Sequence, residues 1–174
     1  MGMIQAPNQT PASRLDQMVR QYEKDLLRLC CVYLRDRTAA EDAVQETFLK
    51  AFRNMDSFRG ESSEKTWLVK IAVNCCRDYR RSTWYRYMDR RVSVDQLPFL
   101  SSAPPSDDHI ALTLAIMKLK PKYMEAVLLY YYEGFPIKEI ARMLHLTEAA
   151  VSSRLRKAKL KLKDELEGGE GDEK

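Results

Sequence analysis

Glycine and proline place the tightest limits on what this chain can fold into. From Ser13 to Asp89 there is one glycine, Gly60, and no proline; from His109 to Glu167 there are only Pro121, Gly134 and Pro136. Stretches so free of helix breakers, with apolar residues at intervals of three and four, predict an all-α protein. The segment between them differs: Val92–Asp108 (VSVDQLPFLSSAPPSDD) holds three prolines and four serines, the composition of a linker. The chain therefore reads as two small helical domains, 13–89 and 109–167, joined by a Pro/Ser-rich linker at 90–108. An acidic tail, 168–174, has the composition of a disordered segment. Each domain is near the small end of what folds alone, which favours docking onto a partner.

Several function classes fall away at once. The longest uninterrupted apolar run is Ala126–Tyr132, far short of the roughly 18 residues of a spanning helix, so no membrane insertion is expected. Met1–Arg14 carries no apolar stretch of the kind a secretory leader needs, which points to a cytoplasmic protein. The only histidines are His109 and His145, and neither falls in a catalytic or metal-ligating constellation. No phosphate loop, dinucleotide fingerprint or nucleophile elbow occurs. The chain is read as no enzyme, with no catalytic residue, no cofactor and no metal site. The four cysteines form two adjacent pairs, Cys30–Cys31 and Cys75–Cys76, and read as small buried apolar side chains in a reducing compartment. Asp107 and Asp108, just before His109, read as helix-capping residues.

In the first domain, Leu15, Met18, Val19, Tyr22, Leu26, Leu29 and Tyr33 form one helical stripe. The next helix opens on a capping box, Thr38 to Glu41, and buries Ala40, Val44, Phe48, Ala51 and Met55. Opposite that stripe, at about 100° per residue, project Asp42, Gln45, Glu46, Leu49 and Arg53. An acidic and amide patch around an exposed leucine suits a protein–protein contact, although a solvated face with one stray leucine has the same pattern. After a loop at Asp56–Ser63, a third helix places Trp67, Leu68, Ile71, Cys75 and Tyr79 toward the core. Beside that face Lys70, Asn74, Arg77 and Arg81 recur at four, three and four residues. Arg80 adds charge, and Arg86, Arg90 and Arg91 follow. Cations along one helical face fit a phosphate backbone, and an asparagine among them offers a donor and an acceptor for a base edge. The adjoining loop supplies Phe58, Arg59, Gly60 and Ser62, an aromatic and small polar groups able to hold an unstacked base.

The second domain has a helix at Tyr123–Tyr132 broken by Gly134, a short helix at Pro136–Leu144, a turn at His145–Leu146, and Thr147 capping a helix to about Leu166. A short helix, tight turn and capped second helix predict a helix-turn-helix within a four-helix domain. In the last helix Val151, Leu155, Ala158 and Leu162 face inward; Ala149, Ala150, Ser153 and Lys157 face outward, flanked by Ser152, Arg154 and Arg156. Small residues near its N-terminal end suit entry into a major groove.

Taken together these stretches resemble the sigma-70 superfamily, and within it the extracytoplasmic-function (ECF) sigma factors of bacterial RNA polymerase. The resemblance runs from about Leu15 to Leu166. Its residues are Ala40–Phe48 (AEDAVQETF), Asp56–Gly60 with Thr66–Asn74, and Glu133–Ala141 with Val151–Ala158. It implies a specificity subunit that binds core polymerase and directs initiation by reading −35 and −10 elements and capturing a flipped non-template base. Asp42, Gln45, Glu46, Leu49 and Arg53 would then dock on the beta-prime clamp helices. Phe58, Arg59, Ser62, Lys70, Asn74, Arg77, Arg80 and Arg81 would hold the −10 strand. Ala150, Ser152, Ser153, Arg154, Arg156 and Lys157 would face the −35 duplex. Implied partners are promoter DNA, the polymerase clamp and beta flap, and an anti-sigma factor, membrane-anchored or not. The sequence departs from the family at Ser152 and Lys157, where many relatives carry larger cations; a lysine cannot make the bidentate arginine–guanine contact. Two other readings stay open on the residues alone: a stand-alone helix-turn-helix regulator, and an antagonist that mimics these surfaces.

Overall fold

The computed structural model describes residues 10–82 and 106–168. All regular structure among them is helical, in two compact units. One unit lies within Met1–Cys30 and Thr38–Met88, the other within Cys31–Arg37 and Asp89–Lys174.

Helix α1 (Pro11–Leu34), which belongs to the first unit up to Cys30, starts with proline at its first position, and the Thr10 hydroxyl accepts from the Ser13 N–H at 3.2 Å. Met18, Leu26, Leu29 and Cys30 are buried, while Leu15, Val19 and Tyr22 are half-buried. Helix α2 (Arg37–Arg53) buries Ala39, Ala40, Ala43, Val44, Thr47, Phe48 and Ala51. Thr38 therefore sits inside the first turn rather than ahead of it. Thr47, sealed in the core, gives its hydroxyl proton to the Ala43 carbonyl at 2.7 Å, which removes the cost of an unpaired buried hydroxyl.

A 3-10 turn (Met55–Ser57) leads into the loop, where Gly60 adopts φ +72°. A side chain there would meet nothing within 4 Å, so the left-handed backbone, not lack of space, requires the glycine. Helix α3 (Glu64–Arg81) is capped by Ser63, whose hydroxyl accepts from the Thr66 N–H at 3.1 Å. Its buried face is Leu68, Val69, Ala72, Val73, Cys75 and Cys76. Of the expected core face only Leu68 and Cys75 are buried; Trp67, Ile71 and Tyr79 are half-buried at its margins. Small residues hold the centre because α1 comes close there: the Cys76 and Cys30 sulfurs are 3.5 Å apart. All four cysteines are free and buried. Desolvation raises the Cys75 thiol above its ordinary 9.0, and the Cys30 contact together with burial pushes Cys76 well above it.

The second unit is the expected four-helix domain. Helix α4 (Asp107–Lys118) takes Ser106 as its cap, the hydroxyl accepting from the His109 N–H at 3.4 Å. Asp107 and Asp108 instead occupy the first turn, where their charge complements the helix dipole. Helix α5 (Pro121–Val127) continues as a π-helical segment, Leu128–Tyr132, rather than as one regular helix. Helix α6 (Ile137–Leu144) and helix α7 (Glu148–Gly168) follow. The core gathers Ile116, Met124, Leu128, Leu129, Ile140, Val151 and Ala158. Leu162 is only half-buried. Of the linker at 90–108, residues 106–108 belong to the start of α4 and the rest lies outside the described residues, as do Arg86, Arg90 and Arg91. Gly168 ends α7; the remainder of the tail also lies outside them.

Candidate nucleic-acid and partner interfaces

Helix α2 has one buried face and one open face. Four alanines, Val44, Thr47 and Phe48 go inward, which leaves Asp42, Gln45, Leu49 and Arg53 exposed on the far side, with Glu46 half-exposed. Leu49 is 49% exposed, and Phe52 beside it is 43% exposed. Sequence reasoning missed Phe52. Its signal was available: three residues after Leu49, it lies on the same helical face. Two large apolar side chains ringed by polar groups form an apolar centre with a polar rim. Lys50 reaches Glu46 and Asp78 at 3.8 Å each, so the ridge of α2 is linked electrostatically to α3.

On α3, Lys70, Asn74 and Arg81 are exposed and Arg77 is half-exposed. Asp78 stands exposed in the same stripe, 3.9 Å from Arg81, and dilutes its positive charge. Arg80 is half-buried and lies near enough to Cys76 to act on its thiol. It does not share the open face. Arg59 is exposed on the loop and Ser62 is half-exposed. Phe58 is half-buried and stacks on Trp67 with ring centroids 4.6 Å apart and planes at 26°. The Arg14 guanidinium lies over the same Phe58 ring at 5.2 Å.

The helix-turn-helix is closed by local backbone chemistry. His145 takes the left-handed conformation at φ 55°, and the Leu146 N–H returns to the Ala141 carbonyl at 2.8 Å. The Thr147 hydroxyl then accepts from the Ala150 N–H at 3.1 Å and starts α7. With Val151, Leu155 and Ala158 buried, Ser152, Arg156 and Lys157 are exposed and Ala150 and Ser153 half-exposed. Arg154 is different. Its side chain is 24% exposed and Nη1 lies 3.9 Å from Oε2 of Glu125, itself 5% exposed. Tyr33, in the segment 31–37 that belongs to this unit, donates its hydroxyl proton to the other Glu125 oxygen. Arg154 is thus turned toward a buried carboxylate rather than the open face.

The π-helical segment shifts the helical register and leaves Tyr130, Tyr131 and Tyr132 exposed. Tyr130 and Tyr131, with Ile137, Leu155 and Leu160, line a groove of about 570 Å³ rimmed by Ser152, Arg156, Lys159 and Lys163. Sequence reasoning did not anticipate it, because a one-residue register shift leaves no periodic trace. Among the described residues no group of histidine, cysteine or acidic side chains is placed to hold a metal, and no helix is long and apolar enough to cross a membrane.

Comparison with known proteins gives a consistent result. The model of sigma-70 region 2 matches residues 18–86, and that of sigma-70 region 4 matches 109–162. The chain is 31% identical over 147 residues to the ECF RNA polymerase sigma factor SigM of Mycobacterium tuberculosis H37Rv, covering 84% of this chain and 74% of that one. It is 30% identical over 162 residues to the ECF RNA polymerase sigma factor SigM of Bacillus subtilis, covering 91% and 99%. Among solved structures it shares its fold with the sigma factor RpoE in complex with the anti-sigma factor NepR from Bartonella quintana, with TM-score 0.70, 22% identity, and 88% and 97% coverage. It also shares it with CnrH in complex with the cytosolic domain of CnrY, with TM-score 0.65, 24% identity and 88% coverage of each chain.

Proposed function

Since this chain belongs to the ECF sigma factors of bacterial RNA polymerase, we propose that it recruits core polymerase through α2 and directs it to promoters through α3 and α7. The observation that carries this is the exposed set on the capped helix α7: Ser152, Arg156 and Lys157 stand clear of the core, at the end of the helix that would enter a major groove. Arg156 and Lys157 can take phosphates or guanine edges, and Ser152 and Ser153 can donate or accept in the groove. Arg154, paired with Glu125, fixes the angle of α7 on its domain rather than reading DNA.

On the other unit Lys70, Arg77 and Arg81 hold the backbone of an unwound strand, and Asn74 reads a base. Extruding that base costs a few kcal/mol, which its new stacking and phosphate contacts offset. Asp42, Gln45, Glu46 and Arg53 set the register of α2 on the clamp, with Leu49 and Phe52 as the apolar anchors. The tyrosine-lined groove suits the beta flap or an anti-sigma helix, in keeping with the NepR complex of the related fold. The linker raises the effective concentration of the second DNA contact once the first is made. The role is that of a non-catalytic specificity subunit acting with cytoplasmic polymerase.

Transcription in vitro with purified core polymerase, with and without this chain, on a genomic fragment library tests the reading. New start sites sharing upstream and downstream elements are the expected result. Tight binding to a two-fold symmetric duplex without polymerase would favour a stand-alone regulator, and polymerase binding with no transcript would favour an antagonist.

A further inference from the structure

Phe58 stands where an aromatic would stack on an unpaired base, yet its ring is already engaged by Trp67 and by Arg14. Arg14 comes from the start of α1, and its Nε and Nη2 both donate to Oε1 of Glu64, at 3.1 and 2.9 Å. Glu64 is the first residue of α3. One guanidinium therefore joins both ends of the loop: the aromatic at its beginning and the helix into which it runs. Between these anchors lie Arg59 to Ser63, including the left-handed Gly60.

Stability of the fold gives little reason for this arrangement. The Arg14 and Glu64 side chains are 34% and 32% exposed, and a part-buried pair at the surface adds only modestly to stability after water and side-chain entropy are counted. What the arrangement does is restrict the loop before any ligand arrives, so that less freedom remains to be lost on binding.

We propose that Arg14 is a positioning residue for base capture: it holds Phe58 on Trp67 and so presets the loop Arg59–Ser63 to receive an extruded base. This rests on the promoter-reading role proposed above. Phe58 is then a pillar of the site rather than its stacking surface, and Arg14 contacts no DNA.

The test uses holoenzyme assembled with the full chain. The probe is a fluorescent single-stranded oligonucleotide from the non-template strand of a promoter found by the transcription assay, intact or abasic at each −10 position in turn. One base held by hydrogen bonds within the preset loop gives the wild-type protein a preference of about tenfold for the intact strand at the captured position. Arg14→Gln is expected to reduce that ratio to about twofold or less while affinity for the abasic strand holds. Glu64→Gln, which keeps Arg14 but weakens its hold, is expected to fall between the two. A merely structural role would weaken both strands alike and leave the ratio unmoved. An unchanged ratio in both variants overturns the proposal even if the wild type discriminates. A wild-type protein with no abasic-sensitive position overturns it together with the base-capture reading. Should Arg14→Gln fold poorly, Glu64→Gln decides on the same ratio.

Discussion

Replacing Leu49 and Phe52 together by alanine separates docking from folding more cleanly than any change to the charged residues around them. The two side chains are 49% and 43% exposed, so the core already covers about half of each. Complete burial of such a side chain is worth about 1.5–3 kcal/mol, which leaves about 1 kcal/mol per residue to be gained on docking. The pair then contributes about 2 kcal/mol, and its removal raises Kd for core polymerase roughly 30-fold. The half of each side chain already covered within the unit is lost on truncation as well, so the stability on unfolding should fall by only about 1 kcal/mol per position. Titration of labelled protein with core polymerase, followed by anisotropy, measures the first quantity, and urea unfolding measures the second. Binding within threefold of wild type by the folded variant would refute the assignment of α2 as the docking ridge. A loss of stability well beyond about 2 kcal/mol would refute the premise that their exposed halves have no intramolecular task.

Four further outcomes follow from the structure. Asn74→Ala should leave duplex binding by the holoenzyme nearly unchanged and reduce promoter opening, read as lost permanganate reactivity of −10 thymines. Arg156→Ala and Lys157→Ala should each lower the salt slope of −35 binding by about one without destabilising the protein, since each removes one phosphate-neutralising charge. Arg154→Ala should leave that slope alone and cost about 1–3 kcal/mol on unfolding, because the Glu125 carboxylate stays buried with a partner gone. The contact with Cys30, together with burial, keeps Cys76 protonated in the fold, so its stabilising contribution is complete below 9.0 and is lost as pH rises through its elevated folded value. Unfolding midpoints between pH 8 and about 10.5 should fall less in Cys76→Ala than in wild type.

The helices were legible because the sequence is consistent at several levels. Gly60, Gly134 and Pro136 mark the breaks, and Ser63 and Thr147 sit where their hydroxyls accept from the first turns. The face of α3 was less legible, and the reason is packing. A pattern search gives most weight to the largest apolar residues, so Trp67, Ile71 and Tyr79 pointed inward on paper. Where two helices approach closely, small side chains fill the contact, and Ala72, Val73, Cys75 and Cys76 take the centre while the large ones spread to the rim. The π-helical segment was illegible for a different reason. Leu128–Tyr132 is apolar at every position, so no alternation exists in which a register shift could be seen.

The candidate surfaces show the same division between local and long-range information. A residue that belongs outside because its helix has already filled the inside can be read from periodicity alone, and Asp42, Leu49, Lys70, Asn74, Ser152 and Lys157 are of that kind. Residues captured by a distant partner cannot. Arg154 has the same charge as Arg156 and sits two positions away, yet it faces a carboxylate 29 residues earlier in the chain. Arg14 lies 50 residues from Glu64, in a stretch whose composition gave no sign of a role. Both arginines are cations that a patch argument either counts as free positive charge or ignores. The structure pairs both with partners: Arg154 turns to Glu125, and Arg14 bridges Glu64 and the Phe58 ring. The proposed role of each follows: the first is left out of the DNA-facing charge, and the second has a part in shaping the loop. An intramolecular partner takes a charge out of the field that long-range electrostatics presents to DNA, so the cationic surface is smaller than the arginine count suggests. On the proposed reading, specificity would then rest more heavily on Ser152, Ser153 and Asn74, side chains that can both donate and accept hydrogen bonds at a base edge.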